Sequence, residues 1–270
     1  MNAVEITGLS HTYADGTKAL HNLSLNIVEG TKVAILGANG SGKTTLLYHL
    51  NGLIMPQVGE ISIKDYRVKK SNLTMIRNKI GMVFDNPDNQ LFSTTVAEDV
   101  SFGPMNQGIR GKELQERVEA AMDQVGIIDL KNKSPHNLSL GQKKRAAIAG
   151  VLAMKPEILV LDEPTSGLDP DTTEKIVDLL EELSKEGKTI ILSTHNVDIA
   201  YSWAEDVAIL AKGELKIKGS VAMLGEEKVM KEAKLRTPLL AKVFAGTDFT
   251  PKSAGEANQI LRKIRKTQGG

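Results

Sequence analysis

The 270-residue chain is 41% apolar and 25% charged, which excludes a disordered or fibrous protein and leaves a folded globular one. Its formal charge of +1 gives no reason to expect non-specific binding to nucleic acid or anionic lipid, and the absence of cysteine excludes disulfides, thiol catalysis and thiolate metal sites. The N-terminus has no basic segment followed by an apolar stretch, and no apolar run approaches the roughly 18–20 residues that span a bilayer; the chain is expected to be soluble by itself.

The start of the chain reads as β-rich. Val4, Ile6 and Leu9 precede a polar turn, and Leu23, Leu25 and Ile27 alternate with polar residues as in a half-buried strand. After the turn Glu29-Gly30, the run Lys32 to Leu36 has strand length, Gly37 to Gly42 is a loop, and Lys43 to Leu50 reads as a helix. Residues 59–63 and 80–84 are further strand candidates. From about 95 to 155 the pattern turns helical: Leu114, Val118, Ala121, Met122 and Val125 share one face of a helix, and after Asn137 to Gln142 another helix runs through Met154. The strands Ile158 to Leu161, Thr189 to Leu192 and Val207 to Leu210 are apolar throughout, with an amphipathic helix over Asp171 to Ser184. Apolar strands alternating with helices predict a parallel sheet covered on both faces. Beyond residue 230 the pattern weakens; Ala257, Ile260, Leu261 and Ile264 fall at helical spacing beside Arg262, Lys263, Arg265 and Lys266.

Gly37-Ala38-Asn39-Gly40-Ser41-Gly42-Lys43-Thr44 matches the pattern G-x-x-x-x-G-K-[ST], between an apolar strand and a helix. Glycines let the backbone curl so that several N–H groups face one anion, and the helix N-terminus presents more of them with its dipole. Lys43 adds a full positive charge for the β- and γ-phosphates, and the Thr44 hydroxyl suits Mg²⁺. The loop therefore predicts a nucleoside triphosphate site, read as Mg-ATP, with Thr45 closing the nucleotide-binding set.

Asp162 and Glu163 follow the buried run Ile158 to Leu161. In open parallel sheets, ligands sit beyond the carboxyl ends of the strands. Asp162 is thus expected to reach the metal, directly or through water, and Glu163 to polarise a water toward the γ-phosphate.

With these two motifs the chain resembles an ATP-binding-cassette (ABC) ATPase subunit over residues 3–225. Leu138-Ser139-Leu140-Gly141-Gln142 resembles the family's signature LSGGQ, and Glu163 to Asp169 runs into its D-loop. The resemblance makes Tyr13 the aromatic that stacks on adenine and His195 the switch histidine, catalytic together with Glu163 and Lys43. Phe84 to Phe92, Val96 to Val100 and Gln142 to Gly150 are similar to the ATPases of energy-coupling-factor importers, nearest the cobalt/nickel type.

The resemblance implies an α/β fold of P-loop NTPase, ABC type. It has a parallel-sheet core, an N-terminal antiparallel β subdomain and a helical subdomain over about 95–155, within an ATPase domain spanning 1–230. A short helical C-terminal extension covers 231–270. It further implies a homodimer or heterodimer with a second ABC ATPase, in which Ser139 and Gly141 complete the other subunit's ATP site. Transmembrane coupling and substrate-binding subunits would hold the pair at the cytoplasmic face of the cell membrane; no nucleic acid is implied. Ser139 can also cap the helix that follows, giving that end a second anion site. The alternatives are a low-turnover regulatory subunit in a heterodimer and a soluble ABC ATPase without a transport role.

Two residues depart from the pattern. Asp85 stands where the family has a glutamine that contacts Mg²⁺, and Leu140 replaces the first signature glycine. Asp85 is expected to join Thr44 and Asp162 around the metal and to alter Mg²⁺ dependence. The Leu140 side chain is expected to point away from the nucleotide.

Overall fold

A computed structural model describes residues 1–268, with side chains placed through 264. Strands β1 (Asn2–Thr12) and β2 (Lys18–Val28) pair antiparallel and bury Val4, Ile6 and Leu9 against Leu23, Leu25 and Ile27, the period-two pattern of the sequence. Next come β3 (Lys32–Leu36), the glycine-rich loop and helix α1 (Lys43–Leu50). β4 (Val58–Ile63) and β5 (Tyr66–Arg67) complete an antiparallel sheet in the order β2-β1-β4-β5. Helix α2 (Leu73–Lys79) leads into β6 (Ile80–Val83).

Three helices follow: α3 (Val96–Asn106), α4 (Gly111–Gln124) and α5 (Leu140–Leu152). Two of the three starts are capped by side chains, and the third helix is set by its buried face. Thr95 and Glu98 form a capping box on α3, Ser139 and Gln142 form one on α5, and α4 turns Val118, Ala121 and Met122 inward. The chain then alternates through β7 (Ile158–Asp162), α6 (Pro170–Lys185), β8 (Thr189–Thr194), α7 (Val197–Trp203), β9 (Asp206–Ala211) and β10 (Glu214–Ser220).

The second sheet has the order β10-β9-β3-β8-β7-β6. All its neighbours are parallel except β10, which runs antiparallel to β9. β10 and α7 add to the elements expected from sequence. The edge strand half-buries Leu215 and Ile217 between exposed Glu214, Lys216 and Lys218, while α7 is one short, Asn196-capped piece.

This sheet divides two apolar cores. Ala34, Leu36, Leu159, Leu161, Ile190 and Leu192 face the core shared with α3 to α7. Val33, Ile35, Ile158, Val160 and Ile191 face the core shared with α1 and the antiparallel sheet. Each such side chain, fully buried, stabilises by about 1.5–3 kcal/mol before entropy is counted.

Helices α8 (Glu227–Glu232), α9 (Leu239–Val243) and α10 (Ala254–Gln268) end the described chain. Met230 and Ala233 pack into the core beside Leu224. The side chains of Arg265 and Lys266, expected on a basic face with Arg262 and Lys263, lie outside the described residues. No described helix is long and apolar enough to cross a membrane.

Candidate functional site

The glycine-rich loop is wedged where the two sheets meet. A Cβ on Gly42 (φ +104°) would sit 2.6 Å from the Ala19 carbonyl, and one on Gly37 would sit 2.4 Å from Ser41 Oγ and 2.5 Å from the Leu210 carbonyl. The turn after β9 holds the loop from one side: Gly213 N donates to Ser41 O at 3.0 Å, and His21 N on β2 donates to Gly213 O at 2.8 Å. Gly42 offers no side-chain cap to α1. The first N–H groups of the helix, which have no intrahelical acceptor, therefore face the loop with the positive end of the helix dipole. Lys43 folds back over it, donating to Gly37 O at 2.8 Å and standing 3.4 Å from Glu163 Oε1.

The two carboxylates at the end of β7 have separate environments. Asp162 is 1% exposed. Its Oδ1 accepts from Ser193 Oγ at 2.5 Å, while its Oδ2 is buried with no hydrogen-bond partner. Burial pushes its carboxyl above the usual range, and the hydroxyls of Ser193 and Thr44 pull it partly back. An orphaned buried carboxylate oxygen, with the Thr44 hydroxyl and the charge of Asp85 nearby, is a donor set that fits a divalent cation. Among the described residues no three His, Asp or Glu side chains gather to hold a metal ion alone.

Glu163 has a left-handed backbone, φ 45°. Its N–H donates to Ser193 O at 3.2 Å and Ser193 Oγ at 3.0 Å. Its Oε2 accepts from His195 Nδ1 at 3.0 Å. A carboxylate oxygen accepts, so this contact takes its proton from His195 Nδ1.

A cleft of about 420 Å³ joins these parts. Its walls include Tyr13, the run Asn39 to Thr45, Asp85 and Glu163. Gly37 and Ala38 meet it from beneath through Lys43. Tyr13 is half exposed and its hydroxyl lies 3.0 Å from Thr45 Oγ1, which fixes the ring at the cleft mouth. Thr17, Lys18 and Ala19 also line the cleft; they close the turn after Tyr13 and open β2, and no motif marked them. Ser193, which holds both carboxylate residues, was likewise not marked by any motif.

Ser139, Leu140, Gly141 and Gln142 stand apart from the cleft, at the start of α5. Ser139 Oγ accepts from Gln142 N at 3.3 Å, and Gln142 Oε1 accepts from Ser139 N at 3.0 Å. Leu140 is 43% exposed and leans on Gly167, whose Cβ, if present, would be 3.1 Å from Leu140 Cδ2. Gln90 ties the end of β6 to α5: its side chain accepts from Phe84 N at 3.1 Å and donates to Ala147 O at 3.0 Å.

The sequence pattern of the ABC transporter family matches residues 20–166. The chain is 48% identical over 244 residues to the energy-coupling factor transporter ATP-binding protein EcfA of Methanothermobacter thermautotrophicus, covering 89% of this chain and 78% of that one. It is 47% identical over 265 residues to EcfA of Carboxydothermus hydrogenoformans, covering 97% and 98%. Among solved structures it superposes on CbiO1 of Clostridium perfringens, described as part of the ABC transporter complex CbiONQ, with TM-score 0.76, 41% identity and coverage of 90% and 98%. It also superposes on a dimeric ATP-binding cassette in a post-hydrolysis state with ADP and phosphate, with TM-score 0.75, 35% identity and coverage of 81% and 98%.

Proposed function

We propose a working cycle from this premise: the chain belongs to the ABC transporter family, among the ATP-binding subunits of energy-coupling-factor transporters, and it hydrolyses ATP in step with transport. ATP occupies the cleft, with adenine on Tyr13 and the phosphates over Gly37 to Thr45. Lys43 exchanges its contact with Glu163 for the β- and γ-phosphates. When bound with the nucleotide, Mg²⁺ would be held by Thr44, Asp162 and Asp85 and would neutralise charge on the phosphate oxygens.

Glu163 accepts the proton of the attacking water, and His195 orients that water and the γ-phosphate. The observation that carries this reading is the placement of Glu163. One carboxylate oxygen faces the phosphate-binding lysine and the other faces a histidine, at the rim of the loop. The start of α5, with Ser139 and Gly141, serves the ATP of a second cassette, and Leu140 turns toward Gly167 rather than toward that nucleotide.

The membrane partner docks in a groove of about 350 Å³ lined by Phe84, Phe92, Phe102 and Met154. Phe92 is 63% exposed and meets Phe102 edge to face at 4.9 Å. The loop that presents it is fixed by Asp99, whose Oδ1 accepts from the N–H groups of Phe92 and Ser93 at 3.0 Å. An exposed aromatic pair beside a shaped apolar groove is a docking surface. The pair of cassettes thus works at the cytoplasmic face of the membrane, and the cargo is cobalt or nickel, a reading that rests on the resemblance of Phe84 to Phe92, Val96 to Val100 and Gln142 to Gly150 to importer ATPases of that type.

The test is ATP turnover by the full chain and by Glu163→Gln. The variant is expected to lose about 10²–10⁴-fold in kcat, the worth of a general base, while still binding ATP. In the presence of Mg-ATP it is expected to run as a dimer on size exclusion. Wild-type turnover in the variant would reject the role of Glu163, and a monomer at saturating ATP would reject the shared site. Metal-dependent growth of a host supplied with the transporter, compared across cobalt, nickel and a vitamin cargo, tests the cargo.

A further inference from the structure

Lys144 is a lysine 2% exposed, on a helix whose other buried residues are apolar. A buried ammonium is costly unless its donors are satisfied. Its Nζ donates to Glu163 O at 2.8 Å and to Ser166 O at 2.9 Å. Both acceptors belong to the turn that leaves β7 and carries Glu163. Burial pulls the amine below the ordinary lysine range, while Asp85 foremost, then Glu163 and Asp162, favour its charge.

The same helix grips this turn in two further places. Residues four apart share a helix face; Leu140, four before Lys144, rests on Gly167. Between them, a Cβ on Gly141 would stand 2.8 Å from Thr172 Cγ2. α5 is thus in close contact with the turn after β7 and with the start of α6 along more than one helical turn. Glu163 also holds a left-handed backbone, which costs a non-glycine residue on the order of 1–3 kcal/mol and persists only where its surroundings enforce it. Ser193 holds its N–H and Lys144 holds its C=O.

We infer that Lys144 is a positioning residue that fixes the aim of the Glu163 carboxylate and ties it to the start of α5, so that the end of α5 facing a second cassette sets the geometry of the chain's own hydrolytic site. The inference rests on the role proposed above for Glu163. A carboxylate displaced by about 1 Å loses on the order of 10²-fold in rate without losing the nucleotide, which is held by the loop.

The experiment uses the full chain as wild type, Lys144→Met, Lys144→Gln and Glu163→Gln. It measures kcat and KM for Mg-ATP, the Kd of a fluorescent ATP analogue, and Tm. Lys144→Met is expected to lower kcat by about 30-fold or more, with Kd within about twofold of wild type, and Lys144→Gln, which keeps an amide donor, to recover part of the loss. Three results overturn the inference: kcat of Lys144→Met within threefold of wild type, equal loss of kcat and nucleotide affinity with a collapsed Tm, or no recovery in Lys144→Gln. Glu163→Gln separates the failures. If it turns over like wild type, the role of Glu163 falls and takes this inference with it. If it is inactive while Lys144→Met is active, only the inference about Lys144 falls.

Discussion

Asp85 adds a carboxylate to a cleft that already holds Glu163 and adjoins Asp162. Three acidic groups near one phosphate site repel an incoming triphosphate unless a cation is bound among them. Asp85→Gln is therefore expected to raise the Mg²⁺ concentration for half-maximal ATPase activity several-fold. A Mg²⁺ titration of initial rates checks it, and an unchanged midpoint refutes it. A second residue, His49, is fully buried; its Nδ1 bonds the Thr45 carbonyl at 2.7 Å, and the ring of His11 crosses it edge to face at 4.9 Å. Burial foremost, and the charge of His11, push His49 below its ordinary range, against the backbone bond. The unfolded chain titrates near 6.5, at about the free histidine value. The folded value is lower, so the stability tied to neutral His49 is whole above that pH and is lost as pH falls through the folded value. His49→Gln is expected to flatten the acid limb of a Tm-against-pH curve, leaving the neutral plateau displaced but level. At this scale the chain announced Lys43, Asp162 and Glu163, because their motifs are contiguous. It could not announce Ser193 or Lys144, whose partners lie 31 and 19 residues away and meet them only after folding.

Elements with a strong period were legible. α4 and α6 show apolar faces and α6 opens on Asp169-Pro170, a cap followed by the residue preset for a first helical turn. α7, with seven residues, is too short to show a period, and β10 alternates Leu215 and Ile217 with lysines that mask the signal. What no pattern shows is how tightly elements meet. β6 and α5 touch at Gly81, where a Cβ would stand 2.3 Å from Val151 Cγ1 and 2.9 Å from Pro156 Cγ. Gly81→Ala is expected to destabilise the fold by about 1–3 kcal/mol through overpacking. Urea unfolding measures it, and a change below about 0.5 kcal/mol would show that the two elements part easily.

For the whole molecule, alternation of apolar strands and helices implied a covered parallel sheet, and the sheet is there. Its order, β10-β9-β3-β8-β7-β6, was not legible, since β3 sits between strands more than 150 residues later in the chain. That insertion is what brings the phosphate loop after β3 beside the acidic pair after β7 and His195 after β8.

The same sheet has a thermal consequence. Neighbouring residues of one strand, such as Ile35 and Leu36 or Val160 and Leu161, belong to opposite cores. The sheet is a party wall: neither room can be emptied while the other stands, because the wall loses one lining whichever side collapses. Heating is therefore expected to give one calorimetric peak, not a peak for each core. Although ATP touches few residues, its binding raises stability by about 2.7 kcal/mol at a hundred times Kd. In Glu163→Gln with Mg-ATP the single peak is expected to move upward entire; a split into a shifted and an unshifted peak would show that the wall does not join the two rooms.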